Sequence, residues 1–329
     1  MAFSNTYDTT NPGSAVSNRE DLSDALSILA PDQTPMLSLA NKDSARATFK
    51  EWTVDALSAP DDSGVIEGSD VSAFEDKFAA RARTGNFTQE FRRTYMVSRT
   101  QQAVESVGPA KIAQAETKAV KEIKRDVEKA LCSSNARTAG GDGVASKLGG
   151  FGFWVDSALS TDVLPASYRT PTTSIHSSGA FTESVLNNLI TSIYRVNGTE
   201  NGLTLVADTA LRRVISDFAR TYTPSGSEVS IRNVNYNGGS TEIRLSVDMY
   251  KSDHGMVSLV NMNPDCAPDT TNKDTGFLVN PAYYGVSELI TLGSEPLTDN
   301  GGGPRGMVSW TGTLEVLHPG AHGKITAIA

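Results

Sequence analysis

The histidines are the residues of this 329-residue chain with the most potential for metal binding or proton transfer. None of the four has a carboxylate or a cysteine at a spacing typical of metal ligation. They are His176, His254, His318 and His322. Pro319 and Gly320 lie between the last two, so a helix cannot present both rings on one face. The sequence therefore predicts structural histidines and no metal site.

The chain has two cysteines, Cys132 and Cys266, which are far apart in the sequence. Neither belongs to a C-x-x-C motif, which argues against a zinc cluster or a disulfide framework and fits a reducing compartment. Free cysteines are among the most buried residue types. We therefore expect two buried free thiols.

A stretch with six glycines, residues 140–152, could be mistaken for a phosphate-binding loop. It contains Gly143 and Ser146-Lys147, but the order G-x-x-x-x-G-K-[ST] is absent and no buried strand precedes it. A mobile loop is the expectation here. The chain also lacks the G-x-S-x-G elbow of hydrolases. These patterns predict no cofactor and no enzyme activity, and a hydrolase using His176 or His254 remains a minor alternative.

The charge balance also limits the functions open to the chain. A net charge of -9 weakens the case for a DNA-reading protein, because Lys and Arg supply most of the affinity in such proteins. The pairs Arg92-Arg93 and Arg212-Arg213 could contact nucleic acid or acidic patches of a neighbouring subunit, and the second reading is favoured for the first pair. No signal peptide and no apolar stretch of membrane-spanning length is present. Asn197-Gly198-Thr199 is read as a turn.

The N-terminal part reads as an arm. Residues 1–17 are mostly small and polar, so they cannot pack on themselves and need a partner to become ordered. A short helix capped by Asn18 is predicted to follow, with Leu22, Leu26 and Leu29 on one stripe, until Pro31 and Pro35 stop it.

Residues 45–97 alternate in the manner of strands around a turn at 59–64. This pattern predicts one long hairpin with an irregular tip. A two-stranded hairpin is at best marginally stable alone in water. It must therefore be stabilised by contacts outside the hairpin.

The strongest helix signal covers residues 109–132, with Pro109 at the first position. Its apolar residues recur every three or four positions, which predicts one narrow buried seam; they are Ile112, Ala115, Ala119, Ile123, Val127 and Ala130. The opposite face is assigned to the charged residues, Glu116, Glu122 and Glu128 among them. Further helices are predicted at 181–196 and 208–218, with a buried strand at 203–207 between them. Beyond residue 228 the chain reads as mostly extended, and the class is α+β.

Several motifs make this order more specific. In the arm they are Asn18-Arg19-Glu20-Asp21-Leu22-Ser23 and Thr34-Pro35-Met36-Leu37. The predicted hairpin contributes Glu51-Trp52, Arg81-x-Arg83, Asn86-x-Thr88-Gln89 and Val97-Ser98. Others are Thr100-Gln101, Ile123-Lys124-Arg125-Asp126-Val127-Glu128, Tyr250-Lys251-Ser252-Asp253-His254-Gly255 and Thr313-Leu314-Glu315-Val316. Together they resemble the major capsid, or major head, proteins of tailed bacteriophages with the Hong Kong 97 fold. The glycine-rich Gly301-Gly302-Gly303-Pro304 departs from that pattern.

This resemblance implies a division of the chain. It consists of an N-terminal arm at 1–44, an E-loop hairpin at 45–97, a P-domain at 98–180, an A-domain at 181–305 and return strands at 306–329. The P-domain would include the spine helix at 109–132 and the glycine-rich loop. The hairpin lysines Lys50 and Lys77 are where a covalent cross-link of the fold's founding member would be sought, although nothing in the sequence indicates one.

The resemblance also implies a function. The chain would form the hexamers and pentamers of an icosahedral head that encloses double-stranded DNA, which it would contact non-specifically. It would be assembled in the bacterial cytoplasm with a portal and a separate scaffolding protein, with a decoration protein as a further candidate partner. A tail or head-decoration protein is the alternative. The candidate intersubunit contacts are Arg19, Glu20, Asp21, Trp52, Arg81, Arg83, Arg92 and Arg93.

Overall fold

A computed structural model describes ten ranges of the chain: residues 31–71, 74–104, 111–198, 202–218, 220–222, 228–230, 233–237, 240–244, 248–269 and 271–328. The predicted arm at 1–17 and the short helix after Asn18 lie outside these residues. So do the contact candidates Arg19, Glu20 and Asp21.

Six α-helices lie in the described ranges: α1 Pro35–Leu39, α2 Arg99–Ala103, α3 Lys111–Cys132, α4 Phe151–Trp154, α5 Glu183–Asn197 and α6 Thr209–Asp217. Their ends follow from local chemistry. The Thr182 side chain accepts a hydrogen bond from the Val185 amide at the start of α5, and Gly198, at φ 65°, ends it. Asp208 caps α6. Pro35 occupies the first turn of α1, a position where proline is common.

The strands of the described residues form two main sheets and three two-stranded pairs. The four-stranded sheet has the order β1 (Asn41–Ser44), β14 (Tyr284–Leu297), β15 (Arg305–Val316) and β4 (Gln89–Met96). The six-stranded sheet has the order β11 (Met249–Ser252), β12 (Gly255–Asn261), β6 (Leu203–Ala207), β13 (Gly276–Val279), β16 (Gly323–Ile325) and β5 (Ile175–His176). The pairs are β2 (Phe49–Val54) with β3 (Ala82–Phe87), β7 (Arg220–Tyr222) with β8 (Glu228–Ser230), and β9 (Asn233–Asn237) with β10 (Ser240–Arg244).

The six-stranded sheet lies between two hydrophobic cores. Successive side chains of a strand point to opposite faces. Val206 and Phe277 accordingly face the core around α3, α4 and the four-stranded sheet, whereas Leu205 and Leu278 face the core built by α5 and α6. All five residues of β6, Thr204 included, are buried, in agreement with the predicted buried strand.

The predicted hairpin is confirmed only for residues 49–54 and 82–87. β2 and β3 pair antiparallel, from Phe49 opposite Phe87 to Val54 opposite Ala82. After Thr88 the chain leaves this pair, and β4 joins β15 instead. The expectation of one two-stranded hairpin through residue 97 is therefore wrong for residues 89–96, which complete a larger sheet.

The glycine-rich stretch is not the predicted mobile loop. Thr138 and Lys147 bridge it into a small hairpin, and the residues that follow are buried. The Asn86 side chain donates to the Gly149 carbonyl at 3.1 Å and accepts from its amide at 2.8 Å. At Gly150 an added Cβ would lie 2.2 Å from the Ser133 carbonyl oxygen, so the missing side chain permits a close approach of two backbones.

The predicted boundary at residue 305 cuts through one sheet. β14, which the sequence patterns missed, pairs with β15 along nearly its whole length, from Tyr284 opposite Val316 to Leu297 opposite Arg305. Strand 284–297 therefore belongs with the sheet that packs on α3. The last described strand, β16, lies in the six-stranded sheet.

No helix in the described part of the chain is long and apolar enough to cross a bilayer.

Candidate intersubunit contact surfaces

The segment that joins β2 to β3, residues 55–81, exposes large apolar side chains. We call it the hairpin tip. Exposure reaches 99% for Leu57, 86% for Val65, 81% for Ile66 and 91% for Phe74. Large apolar side chains gathered in one exposed segment are typical of interaction sites. The hairpin tip is thus a candidate contact surface that the residue patterns did not single out.

The base of the hairpin is held by the subunit's own core. Trp52 is 7% exposed, and its ring centroid lies 5.4 Å from that of Trp154. The Thr84 hydroxyl donates to the Val163 carbonyl at 2.9 Å. Within the described residues, Trp52 is therefore a core residue of its own subunit, and its role as an intersubunit contact stays a prediction.

The two predicted arginines of the hairpin pair with carboxylates of the opposite strand or its extension. Arg81 Nε lies 3.1 Å from Asp55 Oδ2, and Arg83 forms an ion pair with Glu51. Both guanidinium groups remain about half exposed or more. These pairs hold the hairpin together across its width while leaving the arginines accessible.

The neighbouring arginines of β4 differ from each other. Arg93 makes two hydrogen bonds to Asp126 of α3, at 2.7 and 2.8 Å. This contact raises the pKa of the Arg93 guanidinium. Arg93 is thus paired with a carboxylate of its own chain, and its contact with an acidic patch of a neighbour stays a prediction. Arg92 is exposed and remains a candidate.

Glu128 is the main polar residue that the sequence patterns misplaced. It was assigned to the charged outer face of α3, but it is fully buried. Its Oε1 accepts from the Met36 amide at 2.8 Å and its Oε2 from the Leu37 amide at 2.9 Å. Burial raises its pKa to about 7, although these two hydrogen bonds act in the opposite direction. A usable signal was its position one turn before Cys132, which is also buried.

Lys50 lies at the hairpin base, where its Nζ contacts Asp43 at 2.7 Å and Glu315 at 3.9 Å. Lys77, at the tip, is exposed and pairs with Glu75. The glycine-rich turn after Asp299 is also built from its own chain, since the Asp299 carboxylate accepts from the amides of Gly301 and Gly303. Together with Arg99, these donors lower the pKa of Asp299 to about 2.

The family model described as SU10 major capsid protein matches residues 3–329. The chain belongs to this family. The major capsid protein of Escherichia phage Phieco32 is 37% identical over 116 residues, which are 34% of this chain and 32% of that protein. The alignment thus spans about a third of that curated relative.

Solved structures similar to this SU10-family chain have low sequence identity to it. The capsid of a native GTA particle has a TM-score of 0.62 at 13% identity, with complete coverage of both chains. A structure from Mycobacterium phage Bobi has a TM-score of 0.61 at 11% identity, covering 94% of this chain and 95% of the other. The SrpI encapsulin complex of Synechococcus elongatus has a TM-score of 0.55 at 13% identity, covering 94% and 91%. The predicted α+β class and Hong Kong 97-like fold are confirmed.

His322, Cys132 and Cys266 of this SU10-family chain are buried. His322 is fully buried; it accepts from the Asn280 amide at 3.1 Å, and burial lowers its pKa to about 3. Cys132 and Cys266 are buried and free, as predicted. Within the described ranges, no group of three or more His, Cys, Asp or Glu side chains is arranged to hold a metal ion.

Proposed function

We propose that this chain is the major capsid subunit that self-assembles, as hexamers and pentamers, into the icosahedral head around phage double-stranded DNA. The observation that carries the proposal is the hairpin tip, whose apolar residues Leu57, Ile66 and Phe74 lack cover from their own chain in the described residues. In a closed shell, this surface is buried on a neighbouring copy. Family membership supports the same conclusion.

Each part of the chain then has a place in assembly. We assign residues 1–44 to an arm, 49–87 to the E-loop hairpin, and α3 to the spine helix of a P-domain that includes the four-stranded sheet. The A-domain is built on the six-stranded sheet with α5 and α6. Contact residues outside the hairpin tip would include Arg92 and, in the arm, Arg19, Glu20 and Asp21.

The partners and setting follow from this role. A head of this kind needs a portal for DNA entry and a scaffolding protein, with a decoration protein as an optional addition. The inner surface would meet packaged DNA without reading its sequence, in keeping with the net charge of -9. Assembly would take place in the bacterial cytoplasm, and the subunit would have a structural role without catalysis or cofactor.

Co-expression with the scaffolding protein tests the proposal. Electron microscopy should show closed particles with hexameric and pentameric units, and protein that stays monomeric under all such conditions would refute it. Counting copies in purified virions separates the alternatives, because a shell subunit is present in hundreds of copies and a tail part in tens. A low copy number would favour the tail or decoration role.

A further inference from the structure

Glu128 joins two parts of the subunit that are otherwise linked by few polar contacts. It lies on α3, while both its hydrogen-bond donors lie in α1, more than 90 residues earlier in the chain. The carboxylate fills the position of an N-terminal cap for α1, since Thr34, at the cap position, makes no side-chain hydrogen bond there. The backbone of residues 31–40, which we call the arm root, is thereby fixed on α3.

The surroundings of Glu128 contain no compensating cation among the described residues. The titratable groups that face it are the thiol of Cys132 on α3, the thiol of Cys266 on the loop after β12, and the phenol of Tyr284 on β14. Burial raises the pKa of each, to about 11 for Cys266, so all three are neutral near pH 7. Arg125, one turn earlier on α3, is paired with Asp265 at 2.5 Å. An ionised Glu128 thus rests on two backbone amides without a positive partner.

We propose that Glu128 is the residue that positions the arm root on α3, and that loss of its proton loosens the attachment of the arm root. Two observations support a role for this carboxyl group as a switch for the arm root. Both its oxygens accept hydrogen bonds from the arm root, and the Tyr284 hydroxyl donates to the Met36 carbonyl at 3.0 Å. Lifting the arm root away removes these bonds together and exposes the carboxyl group to water.

The direction of the effect follows from proton linkage. In the closed state the pKa of Glu128 is raised from 4.5 to about 7, whereas a water-exposed carboxyl group titrates near its ordinary value. The closed state therefore binds more protons between these two values, and closure is favoured by acid. Raising the pH through 7 shifts the balance toward the open state. With these two pKa values, the opening equilibrium should rise about 30-fold between about pH 5.5 and 8.5.

The arm root makes further polar contacts besides those with Glu128. The Asn263 side chain donates to the Pro31 and Gln33 carbonyls at 3.2 and 2.9 Å, and Lys121 pairs with Asp32 at 3.0 Å. The Lys121 pair is exposed and so contributes little. Asn263 and Tyr284 are buried as well, so Glu128 is distinguished among these described contacts by a charge that changes near pH 7. This inference concerns the folded subunit and holds whether or not the proposed assembly is correct.

Hydrogen exchange of the full-length subunit tests the inference. After correction for intrinsic exchange rates, protection of a peptide covering residues 31–40 should fall by about 30-fold between about pH 5.5 and 8.5. Protection that is constant or rises with pH in the wild type would overturn the inference, without need of any variant.

Two substitutions add specificity to the test. Glu128→Gln removes the titrating group and turns one acceptor into a donor that faces a backbone amide, so protection should be lower than in the wild type at about pH 5.5 and should no longer change with pH. Glu116→Gln, about three turns earlier on the same helix, is the matched control and should behave as the wild type. An unchanged pH dependence in Glu128→Gln would show that another group controls the arm root.

Discussion

Replacing Phe74 with serine tests whether the hairpin tip is an assembly surface. Phe74 is 91% exposed, so the folded subunit gains little from it. The free energy of unfolding should therefore change by less than about 0.5 kcal/mol. If a neighbouring copy covers the side chain in the shell, its full burial contributes about 2 kcal/mol per subunit. Losing this contribution should raise the critical concentration for assembly by about 30-fold.

Two measurements separate these effects. Chemical denaturation of the unassembled subunit gives the free energy of unfolding, and sedimentation over a range of concentrations gives the critical concentration. Val65→Ser, at a position 86% exposed on the same tip, should act in the same direction with a smaller effect. Val144→Ser is the matched control, because Val144 is 56% exposed but lies on the glycine-rich hairpin. The reasoning fails if Phe74→Ser assembles at the wild-type concentration while its stability is unchanged.

Three further substitutions test placements within the subunit. Trp52→Ala should lower the free energy of unfolding by about 3–5 kcal/mol in a denaturation experiment, because Trp52 is a core residue; a loss of assembly with normal stability would contradict this. Arg93→Ala should cost at most about 1 kcal/mol, and a double-mutant cycle with Asp126 should assign most of that loss to the pair. Gly150→Ala should lower the thermal midpoint markedly, because its Cβ would lie 2.2 Å from a backbone carbonyl oxygen; an unchanged midpoint would show that the backbone yields.

The elements with a strong period were predicted well. α3, α5 and α6 each bury one stripe, and β6 is a short, mostly apolar run, so local pattern and tertiary burial agree. β14 was missed because its pattern is broken. It has register shifts at two places and contains Pro296, which is tolerated because β1 covers the other side of β14 only from Gly285 to Glu288.

Glu128 and Gly150 were misread for a common reason. Residue type alone predicts a solvated face for Glu128 and a mobile loop for Gly150. Their actual roles depend on segments distant in sequence: the arm root supplies two amides to Glu128, and the end of α3 leaves no room for a side chain at Gly150. A pattern read along one element does not contain the identity of the element that packs on it.

The predicted contact residues show the same limit, because a local pattern does not identify what a residue packs against. Trp52, Arg81, Arg83 and Arg93 were selected by motif, and all four have partners in their own chain. The apolar residues of the tip belong to no motif and have no period; in the proposed shell, the surface that covers them would belong to a neighbouring subunit.

The charges of the tip explain how such an apolar surface can exist before assembly. Residues 55–81 contain seven Asp or Glu residues and two Lys or Arg residues, so 2 − 7 gives a local net charge of -5. Like charges on free subunits repel one another, which opposes contact between two tips and limits aggregation. The same charge favours a docking site with a basic rim, since electrostatic complementarity selects the partner while apolar burial supplies the affinity. A tip built in this way would dock on a different face of its neighbour, as the head-to-tail contacts of a closed ring require.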